Sequence, residues 1–434
     1  MTEVMLIQPP LPDRLLPYRK EIVLCPPLGL CYIASNLLAH GFDVNVVDLA
    51  ISDPNPEKVE FEIRRVQPKI LGITASTCTY KKALEIARKA KQTDPGTVTV
   101  VGGPHVTFVA QEALAHPEID LVVRNEGEMT MLELCRLYLR GEGSLDRIKG
   151  IVYRNEGRVV NNPSRHLISD LDQLPFPARH LLPLDLYKIP GTLITSRGCP
   201  SRCIFCAAEA MSGGTYRVRS PSNVLAEIDE MKTQYNPPFY FIADDTFTVL
   251  HDRTREICAG LKRMRVRWVC ESRANFVNRE FLREMVESGC FCIQFGVESG
   301  SQVVLNSLRK GITRDHVRDA VKWSCELGLR TFCTFMIPHP EDTLATIAET
   351  KRFMLELKAL GALVIVSATT PFPGTYLWNH ANELGVRIVS DDLEDFDLVT
   401  PTMVTRKLTL DQVSAAYEDL ASISSEILGV QPFG

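Results

Sequence analysis

The chain has 434 residues, 45% of them hydrophobic and 23% charged, with a formal net charge of −5 at pH 7. That length predicts two to three domains with buried cores, and the charge balance sets up no global field toward nucleic acid or an anionic membrane. No apolar run reaches the roughly 18 residues of a membrane span, and the start MTEVMLIQPP lacks the basic flank and apolar stretch of a secretory signal, so a cytoplasmic enzyme with no transmembrane segment is expected.

Val4–Gln8 reads as an apolar strand, followed by a Pro-rich loop, a helix from Leu28 to His40 that Gly41 ends, and a strand at Val44–Leu49. A helix over Glu57–Val66 leads to a strand at Ile70–Ala75. Lys81–Lys91 is a charged helix with Ala83, Leu84, Ile86 and Ala87 on one side, and Val98–Val101 and Leu121–Val123 are further strands, each followed by a helix. This alternation predicts an α/β fold with a parallel sheet covered on both faces. Five strands make a doubly wound, Rossmann-like domain over residues 1–145, a type that binds ligands outside the carboxyl ends of its strands. The stretch IVYRNEGRVV turns at Asn155, Glu156 and Gly157 as a hairpin, and LPFPARHLLP is an extended linker, so residues 146–190 mark the boundary.

Over residues 191–390 a second series begins. Strands at Leu193–Thr195, Phe239–Ala243, Val266–Cys270, Cys292–Gly296, Thr331–Met336 and Leu363–Ser367 alternate with helices at Val224–Gln234, Arg253–Met264, Arg279–Ser288, Asp315–Leu327 and Thr343–Leu360. Six β/α units predict a partial (β/α)6 TIM barrel with its chemistry at the carboxyl strand ends. Residues 391–434 read as a helical extension, with a helix over Leu410–Ile427.

The cysteine count is thirteen, odd in a long chain, which argues against a disulfide scaffold. Cys25, Cys31, Cys78, Cys135, Cys258, Cys325 and Cys333 sit singly in apolar segments and read as small buried hydrophobes. Ligand spacing occurs once, in TSRGCPSRCIFC directly after the first barrel strand, with Cys199, Cys203 and Cys206. Three thiolates from one loop make a metal site. Structural zinc takes four protein ligands, and the next candidates, His251 and Cys258, lie far down the chain. Three thiolates on a four-iron cluster leave one iron open to bind a substrate directly.

The spacing and its place resemble the radical S-adenosylmethionine superfamily. The resemblance implies a [4Fe-4S] cluster on these cysteines, S-adenosylmethionine bound at the open iron and cleaved to a 5′-deoxyadenosyl radical, and Phe205 packing near the adenine. YFIADDTFT puts Asp244 and Asp245 past the second barrel strand, where paired carboxylates can accept from the methionine ammonium or act on substrate, or serve as loop acids or a helix cap. ESRANF puts Arg273 where it meets the methionine carboxylate or makes a structural ion pair. FGVESGSQ puts Glu298 and Ser299 at the position the family uses for ribose and amino-acid contacts. The fifth strand departs from the pattern: FMIPHPEDT carries Pro338 and His339 where relatives have a glycine and a Pro-Gly-Glu turn, so backbone contacts to adenine are not carried over there. His339 is either a substrate-facing acid or base or a structural histidine.

The strand ends of the first domain carry IQPP, TASTCTY, VVGGPHVT and RNEGE. Gly102 and Gly103 permit close backbone approach to a ligand, and Ser76 and Thr77 offer hydroxyls. This part resembles the cobalamin-binding domain that precedes the barrel in a large radical S-adenosylmethionine subfamily. The likeness runs from residue 3 to 390 and includes PPLGLCYIA and TTPFPGTYLW. It implies cobalamin contacts at Ser76, Thr77, Gly102, Gly103, Pro104 and Gly127. No Asp-x-His-x-x-Gly follows the first strand, so no histidine replaces the lower axial ligand of cobalt. His105 reads as a loop or cofactor-amide contact, with cobalt ligation as the alternative. A front domain that only packs against the barrel is the structural alternative.

The resemblance implies a cobalamin-dependent radical methyltransferase. One S-adenosylmethionine methylates the corrinoid and another supplies the radical that activates an unactivated carbon of a small-molecule or lipid substrate. A flavodoxin or ferredoxin with its reductase is the expected electron donor, and no nucleic-acid partner is expected. A cobalamin-independent radical enzyme catalysing cyclisation, rearrangement or oxidation is the first alternative. A non-catalytic cluster or corrinoid sensor is the second, although a sensor needs no adenosylmethionine site.

Overall fold

The computed structural model describes residues 3–51 and 56–424, and it divides into two compact units, Met1–Pro190 and Gly191–Gly434. In the first unit the apolar runs β1 (Val4–Gln8), β2 (Val44–Asp48), β3 (Ile70–Thr74), β4 (Val98–Gly102) and β5 (Leu121–Val123) pair in parallel in the order β2-β1-β3-β4-β5. Val4, Met5, Leu6 and Ile7 are all buried, as are Ile70, Leu71 and Ile73. Both faces of these strands are covered by helices, which is why they read as continuous apolar runs and not as alternating ones. The strand order reverses between β1 and β3, the place at whose carboxyl edge folds of this type bind ligands.

The hairpin expected to stand apart joins this sheet. β6 (Ile151–Asn155) pairs antiparallel with β5, and β7 (Arg158–Asn161) with β6. Ile151, Val152 and Tyr153 are buried, so the run completes the sheet. The Pro-rich segment that follows is stapled down as well. Ala178 N–H donates to the Cys31 carbonyl (3.1 Å) and Ile189 N–H to that of Leu24 (2.9 Å). The Tyr187 hydroxyl donates to Asp48 Oδ2 (2.7 Å), and burial pushes the Asp48 carboxyl upward.

The second unit holds six parallel strands: β8 (Thr192–Leu193), β11 (Tyr240–Ile242), β12 (Trp268–Ser272), β13 (Cys290–Glu298), β14 (Arg330–Ile337) and β15 (Leu363–Ala368). They lie side by side in chain order, the arrangement of a partial barrel. Between β8 and β11 a small ladder pairs β9 (Ser196–Arg197) with β10 (Arg217–Val218).

Several expected boundaries move. Leu193–Thr195 shortens to Thr192–Leu193 because Thr195 turns to meet Asp244. Val266–Cys270 shifts to Trp268–Ser272 because the Val266 N–H is taken by the Leu261 carbonyl at a helix end closed by left-handed Arg265. Cys292–Gly296 lengthens at both ends. Of the cysteines expected to be buried, Cys31, Cys135, Cys258 and Cys333 are, whereas Cys25, Cys78 and Cys325 are only partly so; all thirteen are free.

The C-terminal part is not helical throughout. β16 (Val386–Ile388) pairs antiparallel with β17 (Met403–Thr405) before the helix Leu410–Ala421, which starts at a capping box of Thr409 and Gln412. Residues 425–427 of the helix expected there lie outside the described residues. Among the described residues no helix is long and apolar enough to cross a membrane.

The barrel core is filled by side chains such as Trp268, Phe281, Phe295, Phe335 and Phe353, all fully buried. Phe281, on the helix Arg279–Glu287, stacks on His251 at 4.3 Å between ring centroids. Phe281→Ala is expected to lower unfolding free energy by about 3–5 kcal/mol, read from the shift of the urea midpoint at unchanged slope.

Candidate active site

The site is organised by Asp244, at the carboxyl end of β11 and 1% exposed. Its Oδ1 accepts the N–H groups of Thr195 (2.6 Å) and Ser196 (3.0 Å). Its Oδ2 accepts the hydroxyls of Ser196 (2.7 Å) and Thr195. Arg253 Nη2 donates to the Thr195 carbonyl (2.7 Å) and its Nε to that of Arg219 (2.8 Å). These bonds and the β9–β10 ladder fix both ends of the stretch between residues 198 and 216. Gly198, with φ +88°, passes so close to the chain that an added Cβ would stand 2.2 Å from the Thr215 carbonyl oxygen.

The middle of the loop is held by packing. Ile204 and Phe205 contact Val304, Leu308, Tyr376 and Leu384. Ile204 N–H donates to the Leu308 carbonyl (3.2 Å), and Leu377 N–H donates to the Ile204 carbonyl (2.8 Å). With the loop fixed at its ends and centre, Cys199, Cys203 and Cys206 line a cavity of about 230 Å³ together with Phe205, Asp245, Thr246, Glu271, Arg273, Gln294, Glu298 and Lys310.

Each thiol meets a polar neighbour. Cys199 Sγ lies 3.7 Å from Thr246 Oγ1, Arg273 Nη1 donates to Cys203 Sγ (3.5 Å), and Ala208 N–H donates to Cys206 Sγ (3.4 Å). Desolvation, with Asp245 and the other two cysteines, pushes Cys206 up to about 11, so binding of a metal there releases a proton. Among the described residues no three His, Cys, Asp or Glu side chains converge on a single ion position. Three cysteines leave a structural zinc one protein ligand short, whereas three thiolates on a four-iron cluster leave one iron open.

Glu298 ends β13 in the left-handed region at φ +72° and accepts from Lys310 Nζ at 2.6 Å, a buried pair. Lys310 Nζ also stands 5.9 Å from the Phe205 ring centroid. Arg273 Nη2 donates to the Lys310 carbonyl, while its Nε has no partner among the described residues. Glu271 Oε1 accepts from Gln294 Nε2 (3.2 Å). Burial, then Asp245, Asp244 and Glu298, push the Glu271 carboxyl up to about 7.

The structure thus gathers Phe205, Asp245, Arg273 and Glu298 with the cysteines and leaves two expected members out. Asp244 does not line the cavity, because its oxygens are spent on the start of the cysteine loop. Ser299 is buried, its hydroxyl bonded to Thr350 Oγ1 (3.2 Å) and to the Ser301 N–H (3.1 Å). His339 is fully buried beside Phe205, 6.2 Å between ring centroids, and burial pushes its imidazole down. Glu271, Gln294 and Lys310 were not singled out in the sequence. Glu271 stands two residues before Arg273 in the same stretch, and Gln294 faces inward by strand alternation, whereas Lys310 carries no local signal.

In the first unit Ser76, Thr77, Gly102, Gly103 and Pro104 meet at the adjoining carboxyl ends of β3 and β4. Ser76 Oγ bonds Thr79 Oγ1 (2.8 Å) at the start of the helix Tyr80–Thr93. Thr77 Oγ1 lies 3.2 Å from His105 Nδ1, and Tyr80 covers the imidazole at 4.5 Å between centroids. Burial pushes His105 down to about 4, so it is neutral at pH 7. An added Cβ on Gly103 would stand 2.8 Å from the Ala75 backbone, and one on Gly127 would stand 2.8 Å from Ile33 Cδ1. Both glycines therefore serve close packing of this edge, Gly127 between two helices.

Family models match two parts of the chain: B12 binding domain over residues 23–135 and Radical SAM superfamily over residues 193–354. The chain is 35% identical over 398 residues to an uncharacterized methyltransferase of Pyrococcus horikoshii, covering 90% of this chain and 85% of that one. It is 30% identical over 414 residues to the anaerobic magnesium-protoporphyrin IX monomethyl ester cyclase of Rubrivivax gelatinosus, covering 90% and 73%. Its fold matches the solved structure of TsrM, a radical S-adenosylmethionine methyltransferase from Kitasatospora setae with cobalamin and a [4Fe-4S] cluster bound, at a TM-score of 0.77, 16% identity, and 98% and 89% coverage.

Asp244→Ala removes four bonds from the head of the loop. It is expected to cost at least about 2 kcal/mol and to leave the reconstituted protein with sub-stoichiometric iron, measured by urea unfolding and metal analysis. Glu271 yields a pH prediction. Its carboxyl has a higher affinity for the proton when folded, so its contribution to stability is full below the ordinary value of 4.5 and is lost as pH rises through about 7. Glu271→Gln is expected to flatten the fall in urea midpoint between about pH 5 and about pH 8. Asp244, Asp245 and Asp342, whose carboxyls are also pushed up, retain the remainder.

Proposed function

The chain belongs to the radical S-adenosylmethionine superfamily, in the group whose barrel follows a B12-binding domain, and from that premise we propose that it is a cobalamin-dependent C-methyltransferase. It would act at an unactivated carbon of a small-molecule or lipid substrate. The observation that carries this reading is a ring of three thiols around a cavity whose walls offer both carboxylates and cations. Thirteen free cysteines favour the reducing cytoplasm.

Cys199, Cys203 and Cys206 would hold the [4Fe-4S] cluster, and the β3 and β4 loops with Ser76, Thr77, Gly102, Gly103 and Pro104, together with the turn at Gly127, would hold the corrinoid. When bound, cluster and S-adenosylmethionine supply a carbon-centred radical, and the corrinoid supplies a transferable methyl group. The side chains do the rest. Arg273 places an N–H on Cys203 sulfur, a bond of the kind that tunes a cluster's potential. Asp245 and Glu271 offer acceptors for an ammonium group, and Lys310, oriented by Glu298, with the open Nε of Arg273 offers donors for a carboxylate. Opposite charges on neighbouring strand ends match the zwitterionic end of an amino acid. Phe205 presents a ring face. In the first unit the neutral His105, committed to Thr77 and covered by Tyr80, is a packing residue and not a cobalt ligand.

A second reading, ring formation, rests on the identity to the cyclase. Product mass separates the two: methylation adds a methylene unit and ring formation does not.

Protein reconstituted anaerobically with iron, sulfide and hydroxocobalamin is expected to retain equimolar corrinoid after desalting and to form 5′-deoxyadenosine with dithionite and S-adenosylmethionine. Cys203→Ala is expected to lose 5′-deoxyadenosine formation by more than about a hundredfold while keeping the corrinoid. Retention of 5′-deoxyadenosine formation without corrinoid binding would overturn the methyltransferase reading.

A further inference from the structure

The turn after β5 holds a half-buried cation with no carboxylate partner among the described residues. Arg124 directly follows the last residue of that strand. Its backbone N–H donates to the Gly150 carbonyl (2.9 Å), and its guanidinium Nη2 donates to the Asn162 carbonyl (2.7 Å). The guanidinium makes no other hydrogen bond among the described residues, and its Nε is buried without a partner. The acids on the neighbouring stretches are engaged elsewhere. Asp120 pairs with Lys91, Glu126 accepts the Ile168 N–H (2.7 Å), Glu133 pairs with Arg165, and Glu128 is buried. Burial lowers the hold of the guanidinium on its proton, and no acid offsets it.

Hydrogen bonds tie this turn to the edge formed by β3 and β4. Asn125, left-handed at φ +60°, donates its N–H to Thr107 Oγ1 (3.0 Å), and that hydroxyl donates to the Gly103 carbonyl (2.9 Å). Since β5 pairs with β4, Arg124 stands one strand beyond Gly102 and Gly103 on the same carboxyl edge. The half-buried side-chain amide of Asn125 makes no hydrogen bond among the described residues. A partly desolvated charge without a counter-charge costs free energy, and a bound anion offsets that cost. A guanidinium fixed by one carbonyl and left with open N–H groups is a donor set for anionic oxygen.

We propose that Arg124 holds the phosphodiester of the nucleotide loop of cobalamin, so that the first unit selects complete cobalamin over cobinamide, which lacks that loop. The proposal rests on the cobalamin reading above, in which the corrinoid lies at Ser76, Thr77, Gly102 and Gly103. The side chains around the corrin ring of cobalamin end in neutral amides, and its phosphodiester is the one group that calls for a cation. The Asn125 amide, next to Arg124, matches one of those ring amides. A planar guanidinium suits phosphate oxygens better than the single-point charge of an ammonium.

The test measures binding of hydroxocobalamin and of hydroxocobinamide to the anaerobically reconstituted full-length protein by equilibrium dialysis, each corrinoid read from its visible absorbance. The wild type is expected to bind cobalamin about tenfold or more tightly than cobinamide, with that ratio falling as salt is raised. Arg124→Gln is expected to lower the affinity for cobalamin about tenfold or more and to leave that for cobinamide within about twofold of the wild type. Equal affinity of the wild type for the two corrinoids, or the same ratio in variant and wild type, overturns the proposal. If Arg124→Gln does not fold, the wild type decides alone: a ratio that salt leaves unchanged overturns it. Binding of neither corrinoid by the wild type would sink the cobalamin reading itself, and this proposal with it.

Discussion

The buried carboxylate of Asp244 is the constraint from which the site follows. A carboxylate in that position costs free energy unless its acceptor sites are filled, and they are filled by the backbone and hydroxyls of Thr195 and Ser196. The bonds turn the chain sharply out of β8 and aim it toward the cavity. Arg253 binds the carbonyl side of the same turn, so one acid and one base from neighbouring elements hold opposite faces of a two-residue corner. The apolar pair Ile204 and Phe205 then anchors the far side. The three thiols take their positions from these contacts, none of which involves sulfur.

Order and type of the elements were legible because the apolar runs and their spacing are local properties. The cysteine loop was legible for the same reason: its ligands lie within eight residues of one another. The hairpin at 151–160 was visible as a hairpin, but its place on the sheet edge was not, although the consecutive apolar residues Ile151, Val152 and Tyr153 already read like a strand buried on both sides. Strand ends were misjudged where a side chain or a helix cap took the last N–H, at Thr195 and Val266. Such competition is settled by residues far away in sequence.

The individual site residues were less legible. Asp244 and Asp245 are adjacent and identical in type, yet one braces a loop and the other faces a cavity, and only the pairing of β8 with β11 distinguishes them. Ser299 stands at a strand end where a ligand contact is expected, and its hydroxyl is spent on Thr350 and the Ser301 N–H. Lys310 follows a short helix in a polar-looking stretch, and only the fold brings its amine to Glu298. Strand ends gather functional residues and structural braces alike, so position along the strand is a necessary sign and not a sufficient one.

The braces stand at one side of the barrel, and part of the cavity wall stands on other strands. Gly198, Asp244 and Arg253 fix the cysteine loop at β8 and β11, while Glu271 and Gln294, which face the cavity, belong to β12 and β13. Exchanging a wall residue leaves the loop corner untouched, and altering the corner gains nothing in recognition. A lineage descended from this chain can therefore vary a wall residue such as Gln294 while the corner that presents the cysteines stays as it is. The corner has no such latitude, since a side chain at Gly198 would strike the backbone whatever the substrate.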